Sequence, residues 1–328
     1  MIDSYGEGRA TITVDGTDGI VVYDTAGVEI RNLAVRNEGA AASSGDGIKF
    51  FNDLPDGRKL DHVVVSGVEV SGFRNGISVG GTGWSGFRQV RIECSAVHHN
   101  QDAGLITYGT QFTADKPVYA HADVTVAGVE AHHNAGDPAN SARNTGSGII
   151  LGSVHGGQIT GCSAHDNGAF SSPEATEGPE GIWAYDSTKV VIEHNVSYRN
   201  RTGGPADGDG FGLDVNVTDS VLQYNLSYGN DGAGYLIYAD RGERMNSGNV
   251  VRFNLSCQDA GKTGFYGGIH VGGYVRDVQI YQNTVLDRGG GRDVGAPALK
   301  LSQGPAGVTV RENLFVCDGK YPVQVCGD

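Results

Sequence analysis

The chain is written in short alternations of apolar and polar residues. It reads KVVIEHNVSYRN around Asn195, DSVLQYNLSYGN around Asn225 and GNVVRFNLSCQD around Asn254. VRDVQIYQNTVLDR follows around Asn283 and AGVTVRENLFVCDG around Asn313, so the asparagines step by 30, 29, 29 and 30 residues. Fainter copies precede them: HVVVSGVEVSGF, QVRIECSAVHHN, DVTVAGVEAHHN and QITGCSAHDN. After each copy comes a second run that begins with glycine and alternates. Examples are GISVGG at 76, GLITYG at 104, GIWAYD at 181, GFGLDV at 210, GYLIYAD at 234 and GIHVGG at 268. Period-two alternation predicts short, half-buried strands. Glycine ahead of each strand suits a corner that needs positive φ. The recurrent asparagine is expected in the left-handed region, bonded to backbone of the neighbouring copies.

A repeat of about 30 residues holding three short strands predicts one rung of a parallel β-helix. Propeller blades of about 40 residues with four strands fit the spacing poorly. No hexapeptide period is present, so a left-handed β-helix is excluded. The expected fold is all-β: a right-handed, single-stranded parallel β-helix with three sheets and about nine to ten rungs. At roughly 4.8 Å per rung it would be about 45–50 Å long. Val190, Ile192, Val221, Val251 and Ile280 are expected to share its core.

Composition narrows the partners. Glycine supplies 53 of 328 residues, yet no Gly-x-y period makes a collagen. The formal net charge is −14, a field that repels nucleic acid and anionic membranes. No 18-residue apolar run exists to span a bilayer. The expectation is one domain over residues 1–328, without an export signal of its own. The first strands begin almost at Met1 and the last rung ends at Asp328 with little polar cover. The chain is therefore expected to be part of a longer protein, or to have its ends covered by further domains or by a second copy in a homo-oligomer.

The segments GDGIKFFNDLP (45–55), VEVSGFRNGISVGG (68–81) and GDGFGLDVNVTDSVLQYNLSYGNDGAGYLIY (208–238) resemble right-handed parallel β-helix proteins of the pectate lyase and polygalacturonase type. The likeness is closer still to secreted bacterial β-helix proteins, and it spans nearly the whole chain. It implies a carbohydrate-active protein, outside the cell or at its surface, acting on a poly- or oligosaccharide. It specifies fold better than chemistry.

Rungs of unequal length place a site. Extra residues fall at 135–147, 168–180, 201–209 and 258–267, ahead of the glycine-started strands. Others fall at 110–120 and 240–247, behind them. Two walls flanking one sheet predict a groove. Parity places Trp183, Tyr185, Asp214, Tyr238 and His270 outward on that sheet, with Tyr108 and Lys300 at equivalent positions. Aromatic rings beside carboxylates suit a sugar. Trp183, Tyr185, Tyr238, Tyr108, Lys300 and Arg241 are expected to bind it.

Acidic residues crowd the same rungs. Glu180 and Asp209 each precede a strand glycine, and Asp214 lies further along. Paired carboxyls are the machinery of glycoside hydrolysis, and crowding raises one pKa as a general acid requires. Asp209, Asp214, Glu180 and His270 are therefore the catalytic candidates of a glycoside hydrolase. One alternative is a polysaccharide lyase. The resemblance implies calcium for it, here on Asp207, Asp209 and Asp214, and a base from Lys300, Arg241, Arg244 or His270. Another alternative is a non-catalytic glycan-binding or surface repeat protein. His98, His99, His132, His133 and His165 recur before the asparagine position, so stacked imidazoles are expected on another face; zinc on one histidine per rung is the alternative, though the repeat itself explains their register and no zinc-hydrolase signature accompanies them.

Overall fold

The computed structural model describes residues 1–39, 44–262, 265–287, 295–318 and 321–327. The chain coils through three parallel sheets of 11, 11 and 10 strands, each strand pairing with its counterpart one rung away. It is a right-handed β-helix of about ten turns. Among the described residues there is no α-helix, and no helix is long and apolar enough to cross a membrane.

The strands are short because each fills one side of a rung. Strands such as Thr188–Glu193 and Val250–Arg252 form one sheet, and Val196–Tyr198 and Leu255–Cys257 a second. The glycine-started strands Glu180–Tyr185, Asp209–Leu213, Tyr235–Ala239 and Ile269–Gly273 form the third. Ile182, Phe211, Tyr235 and Ile269 stack through its inner face, and all are fully buried. Val190, Ile192, Val251 and Ile280 lie in the core as expected. Val221 does not. It pairs with Val191 on the outer parity, and Leu222 takes the core place beside Ile192.

The expected asparagine ladder is present. The side-chain amide of Asn195 donates to Asn225 Oδ1 (3.1 Å), Asn225 to Asn254 (3.2 Å), Asn254 to Asn283 (3.1 Å) and Asn283 to Asn313 (3.0 Å). The left-handed residue, however, is the one before each asparagine: His194, Tyr224, Phe253, Gln282 and Glu312 have φ of 55–58°. A second ladder runs through Asn100, Asn134, Asn167, Asn200 and Asn230 at the corner leading to the glycine-started sheet. The strand-leading glycines also serve a purpose other than the expected one. Gly181 and Gly210 lack positive φ. A Cβ on Gly181 would instead run into Ser197 Oγ and stand 2.7 Å from the carbonyl of Gly210 in the next rung, and one on Gly210 would run into Ser227 Oγ and stand 2.9 Å from the carbonyl of Gly234. Close packing against these buried serines and the next rung's backbone, not turn conformation, demands glycine there.

Candidate active site

The long loops enclose a cleft of about 780 Å³ over the outer face of the glycine-started sheet. Residues from 135–147, 168–180, 201–209 and 258–267 line one side, and Gly109, Gln111, Asp240 and Arg244 the other. Asp207 ties three loops of the first wall together. Its Oδ2 accepts from Gly178 N (2.6 Å) and its Oδ1 from Tyr266 Oη (2.8 Å), while its own N–H donates to that hydroxyl (2.8 Å). Lys262 donates to the carbonyls of Thr202 and Gly204. The opposite wall is clamped at buried Asp186. Its Oδ1 accepts from Arg244 Nη2 and from Asn216 Nδ2, both at 2.8 Å, and the Asn216 amide also reaches the carbonyl of Phe112 (2.8 Å).

The floor is set by strand register. Trp183, Gly212, Leu236 and His270 follow one another on successive rungs. Trp183 packs toward the N-terminal rungs, against Ala103 and Ile150, and its indole N–H donates to Ser147 Oγ (3.2 Å). Leu236 packs the other way, against Ala260 and Tyr266. The tyrosines diverge similarly: Tyr185 lies over Gly152 of the preceding rung and Tyr238 over Gly272 of the following one. The rung carrying Gly212 and Asp214 is left open between them.

Two carboxyl groups enter that opening. Glu180 is buried, and its carboxyl lies over Gly212, with the carboxyl carbon 2.7 Å from where a Cβ would stand. Asp214 is half-buried. Glu180 Oε2 and Asp214 Oδ1 are both shielded and have no hydrogen-bond partner within the protein. Burial, then the neighbouring Asp209, Asp214 and Asp207, push the Glu180 carboxyl well above the usual range. Burial, then Asp207, push Asp214 up to about 8, against the pull of Arg244.

The remaining expected residues fall in different places. Tyr108, Tyr185, Tyr238 and His270 line the cleft. His270 bonds Ser302 Oγ (2.8 Å) through Nε2 and leaves Nδ1 unpartnered, and burial followed by Lys300 lowers its pKa to about 3. Trp183 lines the cleft but is only 4% exposed, so it is a wall element and not an open platform. Asp209 is fully buried and does not line the cleft; its Oδ1 accepts from Ala233 N and its Oδ2 has no partner within the protein. Its register is that of Glu180, but its side chain is one methylene shorter and turns to the loop instead of reaching over the sheet. Lys300 is spent on the wall: its ammonium donates to the Phe265 carbonyl and sits 4.6 Å from that ring's centre. Arg241 is exposed outside the cleft and paired with Asp240.

Asp207 turns to Gly178 and Tyr266, Asp209 to Ala233, and Asp214 into the cleft, so the three do not converge as the alternative calcium site would need. Among the described residues, the metal-ligand types that converge as a trio, with donor atoms within 4.8 Å of one another, are His133, His165 and Asp166. Sequence reasoning did not single out Arg74, Asp102 and Arg143, which line the far end of the cleft as ion pairs: Arg74–Asp46 at 3.1 Å and Arg143–Asp102 at 2.6 Å. Arg143 lies in a loop already marked as a wall, the one signal that pointed to it.

The family described as "Right handed beta helix region" matches residues 56–285. No curated protein matches the chain by sequence. Among solved structures, the GH136 lacto-N-biosidase of Eubacterium ramulus superposes with a TM-score of 0.71 at 15% identity, over 98% of this chain and 57% of that one. The A-module of the Azotobacter vinelandii mannuronan C-5 epimerase AlgE4 gives 0.63 at 16% identity, over 98% of this chain and 83% of the module. The enzymatically active domain of bacteriophage CBA120 tailspike protein 2 gives 0.54 at 13%, over 94% and 41%. The chain thus spans just over half of the biosidase. At such identities the likeness is one of fold.

Proposed function

The chain belongs to the right-handed β-helix family, and on that footing we propose that its cleft hydrolyses glycosidic bonds in a poly- or oligosaccharide met outside the cell or at its surface. One observation carries the reading. Glu180 and Asp214, from adjacent rungs, each present a shielded, unpartnered carboxyl oxygen in a cleft flanked by Tyr185 and Tyr238. Unpaired buried acids are costly in a merely structural groove. Sugar hydroxyls and a glycosidic oxygen would supply the missing partners.

The two environments divide the roles. Glu180 is the more deeply buried and keeps its proton, which suits donation to the leaving oxygen. Asp214 is half-buried and near Arg244, which favours its ionised form, so it is assigned as base or nucleophile. Asp207 acts through its neighbours, since a charge on it raises the carboxyls of both Glu180 and Asp214, while Asp209, itself buried and pushed up, interacts with Glu180. The rings of Tyr185 and Tyr238 would stack on the apolar faces of sugar units.

The test is incubation with a panel of polysaccharides and oligosaccharides, followed by mass analysis of products. Cleavage products carrying one added water are expected, and none from Glu180→Gln or Asp214→Asn with native circular dichroism. Unsaturated products would replace this reading by a lyase. The neutral His270, with its free Nδ1 in the cleft, is the observation that favours that second reading. Binding without products would leave a glycan-binding protein.

A further inference from the structure

On the sheet formed by the strands that follow the first asparagine ladder, imidazoles form two columns. His98, His132 and His165 stack with ring centres 4.9 and 5.2 Å apart, and the column continues onto Tyr198 at 4.6 Å. His99 and His133 stack beside it at 5.3 Å. Three successive rungs therefore each present a two-residue donor pair at the same corner. The separations are all 2.8 Å: His98 Nδ1 to His99 Nδ1, His132 Nδ1 to His133 Nδ1, and His165 Nδ1 to Asp166 Oδ2. The register of the repeat explains why the columns exist. It does not explain why the outer faces of these rungs carry so many nitrogen donors, remote from the cleft.

The geometry points to a divalent transition-metal site of the zinc class at His133, His165 and Asp166, with a fourth position left to water. Two imidazoles and one carboxylate are a donor set that zinc accepts, at about 2.0–2.2 Å from each ligand atom. The three donor atoms already lie within 4.8 Å of one another. Tetrahedral coordination needs a separation of about 3.3 Å between donors, so the 2.8 Å between His165 and Asp166 opens with a small side-chain rotation. The ion would replace the proton that this pair now shares.

The surroundings are built in the same sense. His165 Nε2 faces Glu130 Oε1 at 3.2 Å, the carboxylate–histidine arrangement that fixes which nitrogen turns to a metal. Asp166 is oriented by Arg199, whose Nε and Nη2 reach its two oxygens at 3.0 and 2.8 Å. Two carboxylates against one guanidinium leave the corner favourable to a dication. Stacking between His132 and Tyr198 holds the His165 ring in place before any ion arrives. This site is independent of the hydrolase reading and stands or falls separately.

Calorimetric titration of the chelator-treated full chain with zinc chloride tests it. About one equivalent should bind, with magnesium and calcium giving no saturable heat, since those ions prefer all-oxygen sites. His133→Ala, His165→Ala and Asp166→Asn should each weaken zinc at least about tenfold. His194→Ala, at a different corner, should bind as the unaltered protein does. His133 is exposed, so its variant decides the matter if His165→Ala fails to fold. Absence of saturable zinc binding, or zinc binding unaltered in His133→Ala, overturns the site. Loss on His98→Ala or His99→Ala but not on His165→Ala overturns the ligand assignment.

Discussion

The carboxyl group of Glu180 occupies the space that a side chain on Gly212 would need. A Cβ there would fall 2.7 Å from the carboxyl carbon and nearer still to Oε2. Gly212 faces outward, between Trp183 and Leu236, where neighbouring rungs carry bulky residues. The glycine is thus a seat for the acid and not a turn residue.

Gly212→Ala should therefore act as a substitution of Glu180 without touching it. The methyl group displaces the carboxyl toward solvent. Under the hydrolase reading kcat falls about a hundredfold or more, the usual contribution of a positioned general acid. The melting temperature should move little, because the added methyl points out of the core. Steady-state kinetics on whichever glycan the panel identifies gives the answer; an unchanged kcat would mean that Glu180 is not needed at that place.

Asp214 makes activity pH-dependent. As the base it must be ionised, and its carboxyl sits at about 8. The rate should rise with pH up to about 8. Arg244 lowers that value, so Arg244→Met should move the rising limb to higher pH. Stability runs the other way. The unfolded chain releases this proton near pH 4 and the folded chain only near 8, so the native state loses stability across that window as pH rises. Asp214→Asn should flatten the decline in melting temperature between pH 5 and 8. A decline as steep as in the unaltered protein would place the titration elsewhere.

Asn254 tests the first ladder. Its amide donates to the Leu222 carbonyl (2.9 Å) and to Asn283, and its Oδ1 accepts from the Asn225 N–H (3.0 Å) and amide. Asn254→Leu leaves several of these buried groups unpaired at about 1–3 kcal/mol each. Chemical denaturation should show a loss of at least about 3 kcal/mol. An unchanged midpoint would mean that the ladder contributes nothing.

Much of this was legible in the sequence because a strand has only two faces. Counting from the glycine placed Tyr185, Tyr238 and His270 outward, and the loop insertions gave both walls. Where the count began from the wrong anchor it failed. The core residue lies three places before each ladder asparagine, which gives Ile192, Leu222, Val251 and Ile280, and Val221 is off by one. Parity also says nothing of how far a side chain reaches. Glu180 and Asp209 share one register position, yet the longer glutamate crosses to Gly212 while the aspartate stops at the N–H of Ala233 in the following loop. Trp183 points outward as counted, but it lies against Ala103 and Ile150 of the preceding rungs and is buried there.

Asp259 closes the second ladder where an asparagine would be in register. Its Oδ1 accepts from the N–H (3.1 Å) and amide (2.8 Å) of Asn230, and its Oδ2 from Ser256 Oγ (2.7 Å). Burial nevertheless pushes its carboxyl up to about 6, with those hydrogen bonds opposing the shift. The two rungs before it use an amide at this point: Asn200 donates to Ser197 Oγ (2.9 Å) and Asn230 to Ser227 Oγ (3.0 Å). The side-chain amide introduced by Asp259→Asn could do the same toward Ser256, while its oxygen still accepts from Asn230. Because the folded pKa is raised, the aspartate weakens the native state as pH rises from about 4 to about 6, by up to roughly 3 kcal/mol. The asparagine carries no such dependence. Thermal melts should therefore show the variant at least as stable as the unaltered protein at pH 7.5, with its advantage shrinking toward pH 4. A variant less stable at pH 7.5 than at pH 4, relative to the unaltered protein, would mean that the ionised carboxylate is favoured by its partners and that burial is not the dominant effect at this corner.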